Sequence, residues 1–256
     1  MRILGRLGRT GFYYTPLLIL ALAWELMART GVMPADLGPS PWQTLEALST
    51  LYRDGDLLMH AGISFWREFA GFITSCILGT AVGVGMARVD WVRTVFRPVV
   101  TFLYPMPKSA LIPLLLLWFG IGHMSKIAAI FLGCLLPIVT SAFNGARGVD
   151  PQLIWSARSL GTSNTAILWK IVLPAALPDI LSGVRIALSL SWLLLVSAEL
   201  LISRSGLGYL ISYTGESGDY STMFAAILVV VSIGFVADRI FLHLIRWVLR
   251  YTDFTG

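Results

Sequence analysis

Apolar runs of membrane-crossing length alternate with shorter polar stretches along most of the chain. A bilayer core takes about 20 apolar residues per helix, and six stretches approach or exceed that: 12–27, 61–87, 95–119, 127–143, 180–202 and 224–249. The intervening segments, 29–60, 88–93, 120–125, 145–179 and 203–222, read as connections. The pattern predicts an all-α, polytopic membrane protein of about six transmembrane helices. The whole chain, 1–256, reads as one transmembrane domain with a first span at 12–27 and a five-helix core over 61–249. Six crossings bring both ends to the same side.

Composition supports the membrane class. Apolar residues make up 56% of the chain and charged residues 13%, with mean hydropathy +0.77. Soluble domains carry about 25% charge, so a water-exposed enzyme is excluded, and disorder needs the opposite balance of hydrophobicity and charge. A net charge of +5 raises the question of nucleic acid, which requires basic residues gathered on one face. Here they stand singly between apolar stretches, as solvated loop charges would, and no nucleic-acid partner is expected. Cys76 and Cys134 lie inside apolar runs without CxxC spacing and read as packed residues. His60, His123 and His243 are far apart with no HExxH, so no metal site is expected.

Lys and Arg collect in short cytoplasmic loops. With the N-terminus inside, the cytoplasm receives Arg2, Arg6, Arg9, Arg88, Arg93, Arg97, Arg147, Arg158, Lys170, Arg239, Arg246 and Arg250. The opposite face receives Arg29, Arg53, Lys126 and Arg204, together with Asp36, Glu46, Asp54, Asp56, Glu216 and Asp219. Both termini are therefore expected in the cytoplasm. The first span also resembles a signal peptide, with three arginines, an apolar run and Ala21-Leu22-Ala23. Signal cores run about 7–15 residues, and the greater length here favours a retained helix.

Three local features bear on packing and chemistry. Gly79 and Gly83 form a GxxxG that lets helices approach closely, read as packing within the chain ahead of a dimer contact. Arg67 and Glu68 are adjacent on a helix and so do not face each other as a simple pair. Pro105, Pro107 and Pro113 break helical continuity around Lys108, which is tolerated at membrane depth only beside protein or a water-filled cavity. Lys108 has two readings, a cation lining a pathway or a side chain that snorkels to the cytoplasmic interface.

The 145–179 segment differs from every other connection. Asp150 followed by Pro151 is a helix start, with a capping carboxylate and a proline whose missing amide is not needed. Leu153, Ala157 and Leu160 follow at helical spacing, Gly161 ends that helix, and 165–172 predicts a second short helix before Leu173-Pro174. Two short helices crossing at a glycine make a compact knob suited to a groove on a partner protein.

The run of Gly161, nine residues, then Ile171-x-Leu173-Pro174 resembles the cytoplasmic signature loop of ABC importer permeases, EAA-x3-G-x9-I-x-L-P. Trp155, Ser156 and Ala157 occupy the EAA places, so the glutamate is absent while the spacing is kept. Further stretches are similar to the nitrate/sulfonate/taurine branch: Pro39-Ser40-Pro41, Ser64-x-x-Arg67-x-x-x-Gly71, Pro107-Lys108 through Gly122, Leu173 through Pro178, Gly183-x-Arg185, Ala198-Glu199 and Ser205 through Tyr209. The resemblance implies an inner-membrane permease subunit, paired with a second copy, two cytoplasmic ATPase subunits and an extracytoplasmic solute-binding protein. It implies no cofactor in this chain, with ATP and Mg on the partners, and a small solute such as a sulfonate, taurine, nitrate or bicarbonate. Trp155, Ser156, Ala157, Leu160, Gly161, Ile171, Leu173 and Pro174 would then couple to the ATPase.

The chain has no GxxxxGK[ST] to cradle phosphates and no GxSxG. Arg67, Lys108, Arg185 and Glu199 are the candidates for a transport pathway or gate, because ionisable residues in spans are functional candidates by default. A bare glutamate would repel an anionic cargo, so an ion pair of Glu199 with Arg67, Lys108 or Arg185 is the reading that the cargo's charge supports. The alternative classes are an ATP-independent secondary transporter, which needs midplane ion ligands and usually an internal repeat, and an intramembrane enzyme, which needs convergent catalytic groups.

Overall fold

Helices account for all the regular structure in the computed structural model, which describes residues 2–32 and 37–250, with side chains of the first helix described from residue 15 onward except that of residue 17. Asp36, assigned above to the outer face, lies outside the described residues, as do the side chains of Arg2, Arg6 and Arg9. In order the elements are α1 (Arg2–Arg29), α2 (Pro41–Arg53), α3 (Asp56–Arg88), α4 (Asp90–Leu103), a 3-10 turn (Lys108–Leu111) running into α5 (Ile112–Phe119), and α6 (His123–Gly148). There follow α7 (Pro151–Ser159), α8 (Asn164–Ile167), a π turn (Leu168–Val172), α9 (Leu173–Leu201), α10 (Leu207–Glu216) and α11 (Tyr220–Val248).

Among the described residues, four helices are long and apolar enough to cross a membrane: Asp56–Arg88, His123–Gly148, Asn164–Leu201 and Tyr220–Val248. A fifth arises if Asp90–Leu103 and Lys108–Phe119 form one broken span, bent by 95°. The bend falls where Pro105 and Pro107 remove backbone donors. The expected first span, 12–27, falls on α1, some of whose side chains lie outside the described residues. It is held to the bundle through Trp24, whose indole N–H donates to the Pro39 carbonyl at 3.0 Å and whose ring centre lies 5.7 Å from that of Phe224.

The core is built on α3, α6 and α9. Glycines on α3 allow the first contact: a Cβ on Gly71 would come within 2.8 Å of Ile130 Cβ, and one on Gly83 within 2.5 Å of the Val139 carbonyl. The GxxxG is thus an intrachain packing face against α6. Cys134, Ile138, Ala142 and Ala146 continue this core and are fully buried. The polar network described below gathers where α3 starts and α9 ends, while the knob follows the end of α6, which Arg88 Nη2 joins to the end of α3 by donating to the Ala146 carbonyl.

One expectation is corrected here. The 145–179 segment does not hold two separate short helices. Residues 164–201 run as one span, and Leu173-Pro174 does not break it. Pro174 cannot donate to the Lys170 carbonyl, and the wider π turn over Leu168–Val172 just ahead opens the helix where the ring needs room. Gly145 packs on Asp179 Cβ, so both flanks of the segment belong to the bundle.

Candidate functional site: a polar staple, a cleft and an exposed helix

The four pathway candidates do not converge. Arg67, from α3, donates through Nη1 to Glu199 Oε1 of α9 at 2.7 Å, to the Ser205 carbonyl at 2.7 Å and through Nη2 to Ser205 Oγ at 3.0 Å. Its Nε donates to His123 Nδ1 at 3.1 Å. Arg185 instead pairs with Asp238 of α11 at 2.9 Å in a half-buried bridge. Lys108 lies in neither cluster. As adjacency on a helix dictates, Arg67 and Glu68 take different partners, Glu68 accepting from Ser191 Oγ.

Around Glu199 the first turn of α10 finds its acceptors. A helix start leaves unpaired amides, and here Gly206 N donates to His60 Nδ1 at 3.0 Å, Leu207 N to Ser64 Oγ at 2.8 Å and Gly208 N to Glu199 Oε2 at 2.9 Å. A carboxylate at this end also meets the positive pole of the helix. Gly206 adopts φ +112°, and a Cβ there would lie 2.3 Å from Glu199 Oε1, so both conformation and space require glycine.

Lys126 completes the arrangement with the opposite sign. It is fully buried, and its Nζ donates to the carbonyls of Ile121 at 2.7 Å and Ile202 at 2.8 Å, just beyond α5 and at the end of α9. A cation is favoured at helix C-termini. The reading of basic residues as solvated loop charges fails for Lys126, because helix ends inside the bundle supply the acceptors that water would otherwise provide. Charge counting along a sequence carries no signal for this. The histidine spacing gave no metal site, yet His60 and His123 serve the same network as acceptors.

A cleft of about 730 Å³ opens between the 95° bend, α6 and α9. Lys108, Ser109, Thr140, Ser141, Asn144 and Ser197 give it a polar wall. Pro137, also in the lining, has no N–H to donate, so the Gly133 carbonyl loses its usual helical donor. Lys108 Nζ donates to the Tyr104 carbonyl at 2.5 Å and lies 5.7 Å from that ring's centre. It therefore anchors the end of α4 while its charge lines the cleft.

At the other end α7 forms the knob. Asp150 Oδ1 accepts from Gln152 N at 2.8 Å with Pro151 in the first turn. The helix closes as Thr162 N reaches the Ala157 carbonyl at 3.0 Å, which Gly161 permits with φ +77°. The helical spacing of Leu153, Ala157 and Leu160 does not mark the packed face. Ala157 and Ile154 pack inward, while Leu160 is 84% and Trp155 63% exposed, and Ser156 is exposed as well. Ile171 and Leu173 pack against the core below the knob, and Pro174 is exposed at the base of α9.

Comparison with known proteins places these features. The taurine transport system permease protein TauC of Escherichia coli K12 is 34% identical over 227 residues, 87% of this chain and 82% of that protein. The putative aliphatic sulfonates transport permease protein SsuC of Bacillus subtilis 168 is 35% identical over 238 residues, 93% of this chain and 86% of that protein. The fold is similar to a chain of the inward-facing MetNI methionine ABC transporter, with TM-score 0.58 at 19% identity over 75% of this chain and 94% of that one. It is also similar to a chain of an amino acid ABC transporter, with TM-score 0.61 at 16% identity over 80% and 98%. Residues 77–250 match the model of the binding-protein-dependent transport system inner membrane component. The chain belongs to that family and is a multi-pass inner-membrane permease subunit of an ABC transporter, a transport component and not an enzyme.

Proposed function

We propose that this permease forms the translocation pathway of an ATP-driven importer for a small organosulfonate of the taurine type. Identity of 34–36% to the TauC and SsuC permeases over most of the chain carries the substrate class. The polar cleft beside Lys108 suits an anionic group on a small solute, since a cation and several hydroxyls face it. A second copy of the chain closes the open side of this cleft. Both termini face the cytoplasm, α1 supplies the sixth span, and a solute-binding protein delivers cargo at the end bearing the polar staple.

The exposed Trp155, Ser156 and Leu160 on α7, with Ala157 and Gly161 setting its shape, form the contact for one of two ATPase subunits, which hold ATP and Mg. Ile171, Leu173 and Pro174 anchor that knob to the span. ATP favours the closed ATPase pair, and a rigid knob passes that preference to the helices as a switch between inward-open and outward-open states. Glu199 and Arg67 act as a structural pair in this scheme and not as a gate.

The test is reconstitution of the permease with its ATPase and binding protein in liposomes. Taurine or an alkanesulfonate accumulates only when ATP is supplied, and Lys108→Glu lowers accumulation at least tenfold by repelling the sulfonate. Uptake by the permease alone without ATP would place it among secondary transporters.

A further inference from the structure

A second cleft, of about 380 Å³, lies beside the knob between the end of α3, α7 and the start of α8. Arg88, Arg158, Asn164 and Thr165 line it over an apolar floor that includes Ile167 and Val172, and no carboxylate enters the lining. The bond from Arg88 Nη2 to the Ala146 carbonyl fixes that guanidinium at the cleft wall. Neither Arg88 nor Arg158 makes an ion pair among the described residues, and their charges repel each other. Two guanidinium forks and neutral donors lining one cleft, with no carboxylate among the lining residues, match a tetrahedral oxyanion. Arg88 is also the last residue of a membrane-crossing helix, a depth at which basic pockets between helices meet lipid headgroups.

We infer that this cleft is a binding site for a phosphate-type anion, held by Arg88 and Arg158 with Asn164 and Thr165 as auxiliary donors. The occupant is a phospholipid headgroup or free phosphate, which share this chemistry. Bound there, it neutralises the paired arginines and ties the knob to the end of α3, so its presence stiffens the knob. The inference rests on the cleft and not on the transported solute.

The experiment uses the full chain, with and without its ATPase subunit, in nanodiscs of phosphatidylcholine alone or mixed equally with phosphatidylglycerol. Native mass spectrometry reads retained phosphatidylglycerol, and titration of inorganic phosphate into the phosphatidylcholine discs reads the soluble source. Wild type binds one of the two probes, Arg158→Gln binds it about tenfold more weakly, and Arg158→Lys recovers most of the binding. Retained phosphatidylglycerol identifies the lipid, whereas phosphate bound in phosphatidylcholine discs identifies the free anion. Arg158 is exposed, so its variants fold, and an unchanged unfolding temperature checks this. Equal occupancy in wild type and Arg158→Gln, or no binding of either probe, overturns the inference. Loss of the ATPase subunit from Arg158→Gln with probe binding unchanged overturns it too, and makes an acidic group of the ATPase the occupant.

Discussion

Arg67 and Glu199, 132 residues apart in the chain, meet at 2.7 Å with both side chains buried, joining the first part of α3 to the end of α9. The carboxylate also holds the first turn of α10, and the guanidinium holds the Ser205 turn that leads into it. With Lys126 at the ends of α5 and α9, three charged side chains satisfy helix termini that would otherwise lie unpaired inside the bundle.

Removing one partner leaves the other charge buried alone, which costs about 3–5 kcal/mol. Arg67→Ala and Glu199→Ala should each lower the unfolding temperature of the solubilised protein strongly, and the double variant should lose less than the sum. Glu199→Gln, which keeps an acceptor for Gly208 N, should retain more stability than Glu199→Ala. Strict additivity of the two alanine substitutions would show that the pair is not a coupled staple.

Two glycines of α3 should respond oppositely to the same change. A Cβ at Gly83 meets the Val139 carbonyl at 2.5 Å, whereas one at Gly62 meets nothing within 4 Å. Gly83→Ala should destabilise by about 1–3 kcal/mol through overpacking. Gly62→Ala should stabilise by up to about 1 kcal/mol through helix propensity. Chemical denaturation of both variants side by side checks the sign of each.

Exposure separates stability from coupling at the knob. Trp155→Ala and Leu160→Ala remove side chains that are 63% and 84% exposed, so unfolding temperatures should stay near wild type. Co-purification with the ATPase subunit should fall, by about 2 kcal/mol of affinity or more for Trp155 if it is the anchoring side chain. Gly161→Ala should act differently. With φ +77° and open space around it, alanine there is strained by about 1–2 kcal/mol, and the knob's shape should suffer before any contact does.

The spans from residue 61 onward, the break around Lys108 and the knob's cap at Asp150-Pro151 were legible because each depends on neighbours in sequence: runs of apolar residues, prolines, a carboxylate before a proline. The close packing of Gly79 and Gly83 was legible for the same reason. Lys126, His60, Ser64 and Ser205 were not identifiable, since their roles depend on helix ends brought together from four parts of the chain. The break expected at Leu173-Pro174 failed because a local π turn accommodates the ring, an adjustment with no sequence signature beside that proline. Leu153 and Leu160 have the spacing of a buried face yet remain exposed, as periodicity cannot distinguish a face that packs within the chain from one left for a partner.

The proposed function requires that this chain move a small sulfonate only when an ATPase drives it through the knob. The most direct measurement is uptake of labelled taurine into proteoliposomes bearing the permease, its ATPase and the binding protein, with wild type set against the Trp155→Ala, Leu160→Ala double variant. ATP-dependent accumulation by wild type, lost in the double variant while its fold and taurine delivery are intact, is the predicted result. Equal accumulation by both, or accumulation by the permease alone without ATP, would contradict it.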